Sequence, residues 1–161
     1  MSRIDQLNVM IVDDNQHMRS LVRAIMEAIG IRNLIEAREG EHALEKMRNN
    51  EVHLVITDWN MEPMDGIDFT RYLRSSPDSP DPFIPVIMLT GHTERAKVEL
   101  ARDAGVDEFI AKPVTAKALL ARINSIVNNR RPFIRTGRYF GPDRRRKNMP
   151  FDGPEKRADE N

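Results

Sequence analysis

The sequence predicts an α/β fold, a doubly wound, parallel five-stranded sheet, on three observations. Five short segments are almost continuously apolar, each is followed by a stretch of helical periodicity, and each of four of them stops at a polar residue suited to chemistry. Strands that are apolar on both faces belong in a parallel sheet covered by helices on both sides. Right-handed crossovers then follow from the chirality of the chain.

The first strand is "NVMIV", residues 8–12. In "QHMRSLVRAIMEAIG" after it, Met18, Leu21, Val22, Ile25, Met26 and Ile29 recur at steps of three and four, the spacing of one buried helix face, and the helix is expected to stop near Gly30. "NLIEA", "HLVIT", "PVIMLT" and "EFIAK" read as the remaining strands. Helices are expected near residues 41–49, 66–75, 93–104 and 115–128. The proline-rich "SSPDSPDPF", residues 75–83, reads as a rigid surface excursion without chemistry.

A chain of 161 residues, 40% hydrophobic, buries one ordinary core with an appendage to spare. With no cysteine, neither a disulfide framework nor a thiolate metal site is available. The polar start "MSRIDQLN" lacks the apolar core of a signal peptide, and no apolar run approaches the roughly 18 residues of a membrane span. A cytoplasmic protein without membrane insertion is expected. The net charge of zero conceals an asymmetry: residues 1–129 hold 15 Lys and Arg against 20 Asp and Glu, whereas residues 130–161 hold 10 against 5. The expected division is a domain over 1–129 and a basic tail, rich in Gly, Pro and Arg, over 130–161.

In an open α/β sheet, ligands bind outside the carboxyl ends of the strands, where loops diverge at a reversal of strand order. Those ends carry Asp13 and Asp14, Asp58, Thr90, and Lys112. Each has an ordinary alternative: Asp14 or Asn15 as a helix cap, Asp58 as the start of a turn, Thr90 as a cap, Lys112 as a solvated side chain. Together they are harder to explain that way. Three carboxylates in one crevice repel unless a cation sits among them, and with no cysteine and no histidine at these strand ends, magnesium is favoured over zinc. Asp58 is then placed to attack phosphorus, with the metal and Lys112 neutralising the phosphoryl oxygens and Thr90 donating a hydrogen bond.

"MIVDDNQHMRSLV", "VITDWNMEPMDGIDF", "PVIMLTGH" and "EFIAKPV" together resemble the receiver domain of two-component response regulators, closest to the single-domain CheY-like type, over about residues 5–129. The resemblance implies a flavodoxin-like (βα)5 fold with Asp58 as phosphoacceptor. It implies a magnesium site of Asp13, Asp14, Asp58 and the backbone carbonyl of Asn60, with Asp14 binding directly and Asp13 through water. It also implies that Thr90 is the switch hydroxyl and Phe109 the switch aromatic, although Phe109 lacks the phenol of a tyrosine. Glu62 stands where the family usually has proline, and Pro63 follows one place later. His92 falls at a position that tunes phosphate lifetime, and Trp59 beside the acceptor is a candidate fluorescence reporter. His17, His42 and His53 read as surface or helix-start residues. The implied partners are a sensor histidine kinase or phosphotransfer protein and a downstream target protein, in a chemotaxis-type or similar pathway.

Two other classes stay open. A magnesium-dependent aspartyl-phosphate phosphohydrolase commonly needs a second acid two residues after the nucleophile, where this chain has Asn60. A nucleic-acid-binding regulator would use the "RRRK" of the tail, but the tail is too short and too rich in Pro and Gly for a helix-turn-helix DNA-binding domain. The tail also contains a repeat: "YFGPDRR" at 139–145 and "FDGPEKR" at 151–157 share aromatic, any residue, Gly-Pro, acid, base, Arg, with a period of 12. The Gly-Pro pair is expected to set a turn in a linear docking element, against the alternative of a disordered solvated extension. Tyr139, Phe140, Phe151 and Arg144, Arg145 and Arg146 are the candidate contacts, to the chain's own acidic domain or to a neighbour's by self-association.

Overall fold

A computed structural model describes residues 4–91, 95–137 and 139–144. Seven strands and five helices follow in the order β1 (Asn8–Val12), α1 (Gln16–Ala28), β2 (Asn33–Ala37), α2 (Gly40–Asn49), β3 (Leu54–Asp58), α3 (Gly66–Ser75), β4 (Val86–Thr90), α4 (Arg95–Ala104), β5 (Glu108–Ala111), α5 (Ala116–Asn129), β6 (Phe133–Thr136) and β7 (Tyr139–Pro142). The first five strands form one parallel sheet in the order β2-β1-β3-β4-β5. None of the described helices is long and apolar enough to cross a membrane.

The strands are continuously apolar because both sheet faces are covered. Successive side chains point to opposite faces, so Met10, Val12, Val55, Val86 and Met88 join one core with Phe69, Leu73 and Ala104, while Val9, Ile11, Leu54, Ile56, Ile87 and Leu89 join the other with Val22, Met26, Leu119 and Ile123. Asn15 caps α1 by accepting from the Met18 amide at 3.1 Å, Asp65 caps α3 through Asp68 and Thr115 caps α5 through Ala118. One position on the expected face of α1 differs. Leu21 is 45% exposed, because two other positions of that stripe, Val22 and Met26, are the ones that reach the core, and Leu21 lies at its edge.

The C-terminal segment departs further from expectation. Residues 133–136 and 139–142 pair as an antiparallel hairpin, Phe133 opposite Pro142 and Thr136 opposite Tyr139. Gly141 and Pro142 lie within β7 and do not make the turn assigned to them. A proline is tolerated there because the strand is an edge. The hairpin sits against the C-terminal ends of α3 and α4, and its Phe133 and Phe140 rings lie 5.4 Å and 5.3 Å from that of Phe83. The excursion at 75–83 is therefore part of a packing contact. Arg145, Arg146, Phe151 and the second copy of the repeat lie outside the described residues.

Candidate functional site

Strand order reverses between β1 and β3, the two strands whose carboxyl ends carry the acids. The register that opposes Val12 to Thr57 brings the next residues, Asp13 and Asp58, side by side, with Ala37 at the end of β2 accepting the Asp13 amide at 3.1 Å. On the other flank Asp58 opposes Leu89, and Thr90 opposes Ala111. Thr90 and Asp58 thus stand on adjacent strand ends, with Lys112 one residue past the end of β5.

Carboxylate oxygens of Asp13, Asp14 and Asp58 all lie within 4.8 Å of one another. Asp13 and Asp58 are buried, at 3% and 6% exposure, and Asp14 is exposed. Asn15 takes the cap of α1, so Asp14 is not used for that purpose. Asp13 accepts the Asn15 amide on Oδ1 at 2.9 Å, while its Oδ2 is buried without a hydrogen-bond partner among the described residues. Burial, reinforced by the charges of Asp58 and Asp14, pushes the Asp13 pKa up to about 6. A buried, unpartnered carboxylate oxygen facing two further carboxylates is the donor set of a hard divalent cation, and these residues fit magnesium.

The Lys112 ammonium lies 2.6 Å from Asp58 Oδ1. Thr90 is 3% exposed at the end of β4, and its carbonyl accepts the Lys112 amide at 2.9 Å, which ties the two strand ends together. The helix that Thr90 was weighed as capping begins at Arg95. Gly66 packs against the backbone at the end of β3. Its amide donates to the Trp59 carbonyl at 2.8 Å, and a Cβ there would stand 2.3 Å from the Asp58 carbonyl oxygen.

Asn60 is exposed and shares an open groove with Asp14, Met61, Glu62, Pro63, Asp65 and Asp68. Trp59 is buried, with Lys97 Nζ 5.9 Å from its ring centre. Phe109 is partly buried against the core that holds Trp59 and Met88. His92 lies outside the described residues. His53 does more than occupy the surface: its Nδ1 accepts the Asn8 amide at 2.9 Å and closes the loop before β3.

Sequence reasoning missed a second cluster of charge at the opposite end of the strands. Arg74, 3% exposed, donates to the carbonyls of Gly105, Pro82 and Ile84 and to Asp107 Oδ1 at 2.9 Å. Asp107 also accepts from the Val86 amide at 2.9 Å and from Arg130 at 2.8 Å. Burial lowers the Arg74 pKa to about 10, so it stays a cation at neutral pH. The one available signal is Arg74 itself, a charged residue next to Leu73 on the apolar stripe of α3.

Residues 9–124 match the family described as the response regulator receiver domain. The chain is 35% identical to the chemotaxis protein CheY-3 of Vibrio cholerae over 120 residues, 74% of this chain and 91% of that one. It is 34% identical to the chemotaxis protein CheY1 of Helicobacter pylori over 122 residues, 75% and 97% of the two chains. Among solved structures, CheY4 of Vibrio cholerae is similar with a TM-score of 0.68 at 28% identity, covering 74% of this chain and 98% of that one. The CheX–CheY–BeF3–Mg complex of Borrelia burgdorferi contains a chain with a TM-score of 0.67 at 27% identity, covering 75% and 89%.

Proposed function

The chain belongs to the response regulator receiver domain family, and from that premise we propose that it accepts a phosphoryl group from a histidine kinase or phosphotransfer protein onto Asp58 and signals through protein–protein contacts. The observation that carries this reading is the strand-end cluster: three carboxylates within 4.8 Å of one another and an ammonium 2.6 Å from Asp58.

In the proposed reaction an Asp58 oxygen forms a bond to phosphorus as the bond from phosphorus to the donor's imidazole nitrogen breaks, and the imidazole takes up a proton. Water later attacks the acyl phosphate, restoring the carboxylate and releasing phosphate. Asp13, Asp14, Asp58 and the main-chain carbonyl of Asn60 would hold magnesium. When bound, the ion neutralises charge on the phosphoryl oxygens. The Lys112 ammonium leaves the Asp58 carboxylate for the incoming phosphoryl group, and the Thr90 hydroxyl donates to another of its oxygens. Phe109, half-buried next to Thr90's strand, moves into the space this turn opens and alters the surface around β4 and β5.

The chain catalyses its own modification and demodification; Asn60, where phosphohydrolases commonly have a second acid, disfavours turnover of external substrates. The Borrelia relative was solved with CheX, beryllofluoride and magnesium, which supports a magnesium-dependent acceptor with a protein target. A chemotaxis-type pathway in the cytoplasm is the corresponding setting, with residues 1–129 as receiver and 130–161 as an extension. The test is incubation with acetyl phosphate, borohydride trapping and peptide mapping. One phosphoryl group on Asp58, dependent on magnesium, is expected; label elsewhere, or equal labelling in chelator, refutes the assignment.

A further inference from the structure

The hairpin is held to the rest of the molecule by charged and aromatic groups that also fix the start of β4 and β5. Phe133 lies against two guanidinium groups, Arg74 Cζ at 4.9 Å and Arg130 Cζ at 4.3 Å from its ring centre. Both arginines bind Asp107, which in turn accepts the first amide of β4. Phe133 therefore covers the network that sets β4 and β5 at the end opposite Asp58. β7 adds a direct hold on α4. A Cβ on Gly141 would stand 3.2 Å from the Gly105 Cα and 2.7 Å from the Tyr139 hydroxyl, so a larger residue would have to push these neighbours aside. Arg144 pairs with Asp103 in the last turn of α4 and stacks on Tyr139, 4.3 Å from its ring centre.

The helix so held packs on α3 but buries little apolar surface of its own. Among its described side chains, α4 buries only Ala101 and Ala104, whereas α3 buries Ile67, Phe69 and Leu73 and α5 buries Leu119, Ile123 and Ile126. Leu100 of α4 is 40% exposed. An element with few buried apolar contacts has a low free energy of displacement. Its 10 residues span about 15 Å, with Lys97 in the first turn beside the Trp59 that follows Asp58 and the last turn under the hairpin.

We propose that the β6–β7 hairpin is a tethered effector of the receiver, docked in cis on the α3–α4 pole and coupled to the state of Asp58 through α4 and the β4–β5 pair. The proposal rests on Asp58 as acceptor. The docked hairpin fits the arrangement in which Lys112 pairs directly with Asp58. A phosphoryl group separates these two groups and draws Thr90 and Lys112 to itself, shifting β4, β5 and the α4 helix of small buried apolar surface, so the hairpin binds the modified receiver less well. Coupling is reciprocal: whatever factor modification takes from docking, loss of docking returns to modification.

Hydrogen exchange of the full chain with and without beryllofluoride and magnesium tests this, with fluorine NMR to verify that beryllofluoride is bound. Peptides covering 133–142 are expected to exchange about fivefold faster or more in the beryllofluoride state, the lower end of ordinary allosteric coupling. Arg144→Ala, at the surface, and Phe140→Ala are expected to bind beryllofluoride more tightly by a matching factor. Unchanged or slower hairpin exchange with beryllofluoride bound, or unaltered beryllofluoride affinity in both variants, overturns the proposal while leaving Asp58 as acceptor. A protection change seen only at high protein concentration assigns the contact to a second copy and overturns docking in cis. Failure of beryllofluoride to bind removes the acceptor reading, and the proposal with it.

Discussion

The sheet carries at its two ends clusters of charge that are built in opposite ways. At the carboxyl ends, Asp13, Asp14 and Asp58 share one ammonium, Lys112, and Asp13 Oδ2 has no hydrogen-bond partner among the described residues. At the amino ends, Arg74 and Arg130 share Asp107, and Arg74 donates to three backbone carbonyls besides. Among the described residues the first cluster holds three carboxylates against one ammonium and leaves Asp13 Oδ2 unpartnered, whereas the second is satisfied. Buried charge without compensation costs free energy that a chain retains where a ligand supplies the remedy. On the proposed function, the difference separates a pole suited to an exchangeable cation and phosphoryl group from a pole made for permanence.

The largest expected effect is at the unsatisfied pole. Asp58→Asn should reduce phosphoryl uptake from acetyl phosphate to background by intact mass, with an unchanged circular dichroism spectrum, because the amide keeps the volume and loses the nucleophile. Lys112→Ala should permit some uptake but separate it from the surface change, read as a loss of the beryllofluoride-induced exchange difference around β4 and β5. At the satisfied pole, Arg74→Met should lower stability by about 3–5 kcal/mol in urea unfolding, since it strands carbonyls and weakens the pairing of a buried carboxylate. A cost below about 1 kcal/mol would show that this network is not structural.

The comparison also explains what was legible in the sequence. Asp13, Asp58, Thr90 and Lys112 each stand at the end of an apolar run, so locating the strands located the candidate site, and parallel topology brought the ends together. Arg74 and Asp107 are 33 residues apart, and neither follows a strand. A charged side chain in an amphipathic helix reads as solvated until the fold puts a carboxylate above it. The hairpin escaped notice for a related reason: four-residue strands interrupted by Gly and Pro carry no periodic signal, and their partner Phe83 comes from a loop 50 residues earlier. Leu21 followed the helical repeat, but the repeat does not say where the stripe's edge falls.

Two smaller effects sharpen the contrast. Without divalent cation, Asp13→Asn should stabilise the chain by about 1–2 kcal/mol in urea unfolding, because the amide still accepts the Asn15 amide and removes a carboxylate whose pKa is pushed up to about 6. The corresponding change at Asp107 should destabilise. At the hairpin, burial raises the Tyr139 pKa to about 12. The native state therefore keeps a proton that the unfolded chain loses near pH 10, and this contribution to stability, present below pH 10, is lost as pH rises through about 12. Ultraviolet titration should show one phenol ionising near pH 12 in the native chain and nearer pH 10 in the same chain unfolded in urea.

Thermal unfolding as a function of magnesium concentration, for the native chain and for Asp13→Asn side by side, tests the assignment of the two poles most directly. A ligand at about ten times its dissociation constant stabilises by about 1.4 kcal/mol, which for a chain of this size raises the midpoint by roughly 3–6 °C. The native chain should show that rise and Asp13→Asn little or none, since the carboxylate left uncompensated at the strand ends is the one the ion answers. Equal rises in both proteins, or none in the native chain, would contradict the reading of the strand-end carboxylates as a cation site.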